Sequence, residues 1–421
     1  MRIAIVGAGI SGLVAAHHLH REHDITVYEA NDYVGGHTNT VRVDLGEETH
    51  WVDTGFIVLN DRNYPSFEPL LEELGVATQP SKMSFSVSDG HGGFEYAGTP
   101  RGLFAQRSHL ASPHFLRMVG DLVRFNREAR SLLQGDPASG PSLREFLDRG
   151  GYSKWFVERL IVPQAAAVWS AEPAQMWSFP AAFLARFFHN HGMLGFRDRP
   201  QWRTVTGGSR RYVEEITRPF ADRIRTSAPV RAVTRGPEGV EVAADGCETE
   251  RFDEVVIAAH SDQALAMLTD PSELERELLG AVAYQPNEAV LHTDERMLPR
   301  RLAAWASWNY HLTPEPPAGA QLTYWMNNLQ SIDSPTNFLV TLNRTEAIDP
   351  GRIIRTIPYA HPVFTPEGVA AQARHGEISG VDRTHYCGAY WRWGFHEDGV
   401  VSALKAIERV GTSAPRQAVG A

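Results

Sequence analysis

Three glycines and one carboxylate near the amino terminus have the spacing of a binding site. Gly7, Gly9 and Gly12 form a G-x-G-x-x-G pattern in "IVGAGISG", and Glu29 closes the stretch "ITVYE". In such a pattern the first glycine permits a tight turn, the second lets the backbone approach a pyrophosphate, and the third lets helix and strand pack closely. A helix starting inside the turn, at Ile10 and Ser11, would aim its free N–H groups at the phosphates. Glu29 stands at about the 20-residue separation of the acid that accepts hydrogen bonds from a ribose. The chemistry implied is capture of a dinucleotide.

The flanking elements suit that task. Arg2 to Val6 is a short apolar run rich in β-branched residues, a buried strand by pattern, and Ser11 to Leu19 carries apolar residues at helical spacing. Ile25 to Tyr28 reads as the second strand. Strand, turn, helix, strand and acid in this order predict an α/β fold built on a parallel sheet. The 421 residues suffice for two domains, and the net charge of −10 argues against general nucleic-acid binding. Cys247 and Cys387 form neither a disulfide framework nor a dithiol motif. The first strand begins at Arg2, which leaves no room ahead of it for a signal peptide, and no apolar run approaches the ~20 residues of a spanning helix. A cytoplasmic enzyme is expected, soluble or peripheral to the inner face of the membrane.

Beyond Glu29, "ANDYVGGHTNTV" and "WVDTGFIVLND" resemble segments of the flavin-containing amine oxidase-like superfamily. The resemblance implies FAD, held by a Rossmann-like domain of the glutathione reductase/amine oxidase type, with a discontinuous α+β substrate domain. Matching segments recur in "TVTGGSRRYVEEI" (204–216), "APVRAV" (228–233), "FDEVVIAAH" (252–260) and "YCGAYWRWGFHEDGVVSALKA" (386–406). Besides the glycine loop and Glu29, it places cofactor contacts at Ala30, Gly35, Gly36, His37, Thr38, Gly55, Phe56, Ile57, Val230, Ala259, Gly388, Asp398, Gly399 and Val400. His37 departs from the pattern, since the family usually has arginine there. A helix starting near Asp398 or Gly399 would stabilise negative charge at the flavin N1 and C2 carbonyl. The FAD domain would comprise 1–64, 202–269 and 382–411, the substrate domain 65–201 and 270–381, and 412–421 a disordered tail. Only one dinucleotide fingerprint occurs, so electrons are expected to enter from the substrate.

The inserted segments speak to that substrate. From Thr99 to Leu133 six arginines face two carboxylates, and Leu116, Val119, Leu122, Val123 and Phe125 suggest an amphipathic helix bordered by exposed Phe104 and Phe115. This stretch is either an ordinary solvated helix face or a peripheral membrane contact. "WSFPAAFLARFFHNHGML" (177–194) is apolar nearly all round. Its His189 and His191, at i and i+2, do not share a helix face, so no metal site is expected. Residues 301–312, 322–329 and 338–343 read as aromatic-rich strands, and "PYAHPVF" (358–364) as a turn presenting Tyr359 and His361.

Many family members carry a lysine on a substrate-domain strand. Here the corresponding place reads "YQPNEAVLHTD", and the three lysines are Lys82, Lys154 and Lys405. More closely, "VGGHTNTV", "DTGFIVLNDRNYP", "EAVLHTD", "WASWNYH" and "GAYWRWGFHEDGV" resemble a bacterial branch associated with cyclopropane or methyl-branched fatty acid synthesis, similar to the methyl fatty acid desaturase of furan fatty acid formation. That resemblance implies hydride removal from a fatty acyl or phospholipid chain, with Tyr310, Tyr324, Tyr359 and His361 as candidate catalytic groups. A fatty acid methyltransferase or cyclopropane synthase is the partner it suggests. Two alternatives stay open: an amine or amino-acid oxidase, and a redox-neutral FAD-dependent fatty acid isomerase.

Overall fold

A computed structural model of the chain describes residues 1–413 except 136–139, 196, 198 and 315–318. The fold is α/β. Strand β1 (Arg2–Val6), helix α1 (Ile10–Leu19) and strand β2 (Asp24–Tyr28) form as their patterns require. β1 lies at the centre of a five-stranded parallel sheet in the order Ile224–Arg225, β2, β1, Glu254–Ile257, Thr384–Tyr386. Its strands come from four distant parts of the sequence, and all end at one edge. The glycine loop, Glu29, Ala259 and Gly388 stand at or just beyond those ends, where open α/β sheets bind ligands.

Close packing explains two of the glycines. A Cβ on Gly12 would lie 1.8 Å from the Gly7 carbonyl oxygen, so α1 can approach the turn only without one. Gly7 itself has φ +100°, and a side chain there would meet the Ala258 carbonyl oxygen at 2.9 Å.

A second, seven-stranded sheet has the order Ile353–Val363, Ala283–His292, Leu339–Leu342, Leu322–Trp325, Trp308–His311, Phe85–Ser88, Glu95–Ala97. All pairs are antiparallel except that joining Trp308–His311 to Phe85–Ser88. Residues 358–363, expected as a turn, belong instead to the long strand at its edge. Pro358 and Pro362 are tolerated there because an edge strand needs only half of its backbone hydrogen bonds. One face packs against helices of the 113–190 region in an extensive apolar core. The opposite face carries a buried polar chain in which His292 Nε2, Thr341, Thr323 and His311 Nε2 are linked at 2.7, 2.8 and 2.7 Å.

Other expectations differ from the structure: of the expected strands 301–312 and 322–329 only Trp308–His311 and Leu322–Trp325 are strand, with Leu302–Ala304 and Met326–Leu329 helical. The last helix spans His396–Ile407, starting two residues before Asp398 because Phe395 is its N-cap. Phe115, expected at the surface, is fully buried, stacked on His109 at 4.0 Å. Residues 414–421 of the expected tail lie outside the described residues; Ser413 Oγ donates to Glu254 at 2.9 Å.

Asp53 ties the pieces together. Its buried carboxylate accepts hydrogen bonds from Thr40 Oγ1 (2.5 Å), Ser209 N (3.0 Å), Ser209 Oγ (2.7 Å) and Gln330 Nε2 (2.8 Å). Its N–H donates to Gln330 Oε1 at 2.8 Å. Asp53→Ala should lower stability by ~3–5 kcal/mol, because four buried donors lose one acceptor. A shift of the urea unfolding midpoint checks this.

Candidate active site at the junction of the two sheets

The cradle at the edge of the parallel sheet has space for a ligand. A Cβ on Gly9 would meet nothing within 4 Å, so the middle of the glycine loop is open on that side. Glu29 is buried; Oε2 accepts the Ala8 N–H at 2.8 Å, and Oε1 accepts the N–H and Nδ2 of Asn31 at 2.9 and 2.8 Å. These bonds fix the carboxylate while leaving it acceptor capacity for a ribose. The Gly35–Thr38 loop packs on the glycine loop through a bridge between Gly9 and Gly35. His37 O receives the Phe56 N–H at 2.8 Å, which brings the Gly55–Ile57 turn alongside.

The last helix closes the cradle. Ser11 Oγ donates to Gly399 O at 3.0 Å, and a Cβ on Gly399 would stand 2.7 Å from Ile10 Cγ2. His396 stacks on Phe56 with ring centroids 3.8 Å apart, and its Nε2 meets Tyr212 OH at 2.8 Å, which in turn meets Thr38 Oγ1 at 2.5 Å. Gly388 N donates to Ser402 Oγ at 3.0 Å, and Val400 is buried in the same core. Val230 stands apart in a three-stranded sheet, joined to the cradle by the Ala228 N–H donated to Glu29 O at 2.9 Å. Burial raises the Asp398 carboxyl to about 7, against the hydrogen bond it accepts from Phe395 N.

Three imidazoles and a phenol meet beside this cradle. The His37 ring lies 4.7 Å from Tyr359, 5.2 Å from His361 and 6.1 Å from His260. Tyr359 OH meets Thr54 Oγ1 at 3.0 Å. The protonation pattern follows from a chain of amides. Glu288 N donates to Asn343 Oδ1 (2.9 Å), Asn343 Nδ2 to Asn287 Oδ1 (2.7 Å), and Asn287 Nδ2 therefore to His361 Nδ1 (2.9 Å). His361 thus keeps its proton on Nε2 and presents a donor, so it is not poised as a general base. His37 hydrogen-bonds the Ala360 carbonyl, while its buried Nε2 has no partner. With Nδ1 donating to that carbonyl, Nε2 is a bare lone pair. Burial holds His37 neutral, well below the usual histidine range, and lowers His361 to about 4.

An unpartnered buried nitrogen, an open glycine loop and a fixed carboxylate on one crevice fit a bound dinucleotide. Gly7–Gly12, Glu29, Gly35–Thr38 and Gly55–Phe56 would hold FAD. Asn287, Asn343 and His260 are members of the junction that sequence reasoning did not single out. Asn287 had a signal, for it lies in the segment where a family lysine is usual.

Tyr310 and Tyr324 share one sheet face with Tyr359 and His361, by the register Tyr310–Leu322–Leu342–Ala289–Ile357. Tyr324 lies three strands from Tyr359 and Tyr310 four, or about 14 and 19 Å by strand spacing, so the four candidates do not form one cluster. Burial raises every one of these phenols, Tyr324 to about 12, so none is a phenolate at neutral pH. His191 stacks on Phe187 at 3.9 Å and donates to its carbonyl.

Comparison with known proteins agrees with this geometry. The sequence model of the family described as flavin containing amine oxidoreductase matches residues 10–338. A Mycobacterium tuberculosis protein named as a flavin-containing monoamine oxidase is 26% identical over 282 residues, 64% of this chain and 59% of that protein. The chain therefore spans about three fifths of that relative. The structure of cyclohexylamine oxidase from Brevibacterium oxydans superposes with a TM-score of 0.70 at 17% identity, covering 97% of this chain and 98% of that one. A CLA-producing fatty acid isomerase from P. acnes gives 0.69 at 15% identity, with 97% and 98% covered.

FAD binding should depend on pH through His37. Its ring is neutral in the empty site; if a bound phosphate lies against Nε2 the ring would take up a proton there, so the complex would bind more protons and affinity would rise as pH falls toward the usual histidine range, by at most about tenfold per unit. Titrating apoprotein with FAD by flavin fluorescence checks this, and His37→Arg should flatten the dependence.

Proposed function

Since the chain belongs to the flavin-containing amine oxidoreductase family, we propose that it is an FAD-dependent oxidoreductase that takes a hydride from an apolar substrate, a fatty acyl or phospholipid chain, in a desaturation or oxidation. The observation that carries this reading is the apolar buried part of the sheet face that meets the helical layer, where the charged residue in the same register, Arg355 opposite Leu291, is exposed on the edge strand. That face presents Ala289, Leu291, Tyr310, Leu322, Tyr324, Val340, Leu342 and Ile357, all buried in one apolar core. An alkylammonium would call for a carboxylate, and the nearby Asp53 is already surrounded by donors from Thr40, Ser209 and Gln330.

Bound FAD would supply the hydride-accepting ring. The chain's own groups bind and orient. An acyl chain offers no charge to grip, so apolar and aromatic walls supply affinity and alignment. Phe183 and Trp393, with ring centroids 4.1 Å apart, join that core to the segment before the last helix. Protonated phenols and the His361 N–H keep the junction uncharged and offer donors to a carbonyl. Burial of these groups excludes water. An enzyme that methylates or cyclopropanates acyl chains would supply the substrate.

The amine-oxidase reading draws support from the monoamine oxidase relative. The test is anaerobic mixing of the yellow holoenzyme with phospholipids carrying unsaturated or methyl-branched chains, and separately with an amine panel, following the visible flavin band. Bleaching by lipid alone is expected. Bleaching by amines alone overturns the proposal, and double-bond migration without bleaching replaces it with a redox-neutral isomerisation.

A further inference from the structure

The outer side of the helical layer carries a surface unlike the rest of the molecule. In the Pro113–Glu128 helix, Phe115, Met118, Asp121 and Phe125 are buried. The outward stripe is not polar: Leu116 is 48% and Val123 54% exposed, with Gly120 also exposed between them. Leu110, in the turn leading into the helix, is 60% exposed, and Leu302 is 75% exposed. Leu302 belongs to the same surface, because its turn packs against Gly102–Phe104, where a Cβ on Gly102 would lie 2.9 Å from Ala303 O. Four of the seven exposed large apolar residues among the described residues thus gather here.

Charge on this surface is one-sided. Arg101, Arg107, Arg117, Arg127 and Arg300 are exposed. Of the two carboxylates of the segment, Asp121 is buried and accepts Ser153 N at 2.9 Å and Arg124 at 3.1 Å, while Glu128 is half-buried, accepts Tyr152 OH at 2.6 Å and lies 3.9 Å from Arg127. Several exposed arginines elsewhere sit beside acids, as Arg42, Arg211, Arg218, Arg231, Arg251 and Arg296 do. Among the described residues no carboxylate pairs with Arg101, Arg107, Arg117 or Arg300. In a chain of net charge −10, unneutralised arginines rimming exposed leucines match an anionic lipid surface.

We propose that this face docks on an anionic phospholipid bilayer, with the Pro113–Glu128 helix lying in the interface plane, Leu110, Leu116, Val123 and Leu302 entering the headgroup layer, and the arginines meeting lipid phosphates. Phe115 and Met118, on the inner side of the same helix, belong to the core that contains Tyr310 and Tyr324. Docking would set that core next to the bilayer. The inference does not depend on the substrate, since it concerns binding without turnover.

Holoenzyme is sedimented with sucrose-loaded vesicles of phosphatidylglycerol and phosphatidylcholine, and of phosphatidylcholine alone. Binding to the anionic vesicles is expected, weakening as salt rises. Leu116→Glu/Val123→Glu should reduce it at least ~10-fold through lost apolar insertion and added repulsion. Arg101→Glu/Arg107→Glu/Arg117→Glu should do so while leaving the buried face of the helix untouched. Retained flavin absorbance and circular dichroism establish that the variants are folded. Failure of the wild type to sediment with anionic vesicles overturns the proposal, as does sedimentation that neither variant changes. A change of oligomeric state in the variants without loss of vesicle binding assigns the face to self-association instead.

Discussion

Four donors from three distant stretches of chain converge on the Asp53 carboxylate, which has no solvent exposure. Thr40 belongs to the segment after the Gly35–Thr38 loop, Ser209 to the Gly-Gly segment before a helix, and Gln330 to the strand-rich insertion. Burial lifts the carboxyl to about 6 even though the hydrogen bonds it accepts oppose that lift. The turn that follows, Thr54–Phe56, is where the two sheets meet, with Tyr359 OH on Thr54 and the Phe56 N–H on His37 O. The positions of the imidazoles, the dinucleotide cradle and the edge strand all depend on this knot. A carboxylate suits the post because it accepts from several directions at once, which no neutral side chain of its size does.

Neutrality is the electrical theme of the junction. Desolvation lowers His37, His260, His361 and His396 together, and mutual repulsion adds to the effect at His37. Uncharged rings can pack within 4.7 to 6.1 Å of one another where cations could not. Arginine at position 37 would bring a permanent charge, and an apolar pocket next to it would be harder to keep. Histidine reconciles the two demands, being neutral when empty and able to take a proton when an anion arrives.

The same separation runs through the helical layer. Phe115 and Met118 face inward to the apolar core, while Leu116 and Val123 face outward among arginines. A helix apolar on two sides is unusual for a surface element of a soluble enzyme. No helix among the described residues is long and apolar enough to cross a membrane.

The amino-acid sequence by itself determined the glycine loop and its acid, because both are local. Gly7, Gly9, Gly12 and Glu29 fall within one strand-turn-helix-strand unit, where backbone sterics and helix ends dictate the outcome. The aromatic strands of the insertion were also legible, since β-branched and aromatic runs have few other uses. The tertiary structure alone decided which strands lie side by side. Tyr359 and His361 reach His37 only because Ile353–Val363 pairs with Ala283–His292 at the sheet edge, and that edge position is also what admits Pro358 and Pro362 in a strand read as a turn. The proton on His361 Nε2 depends on Asn287 and Asn343, 56 residues apart, and Asp53 depends on Gln330, 277 residues away. Hydrogen-bond partners at such separations leave no trace in local pattern, so their assignment belongs to the fold.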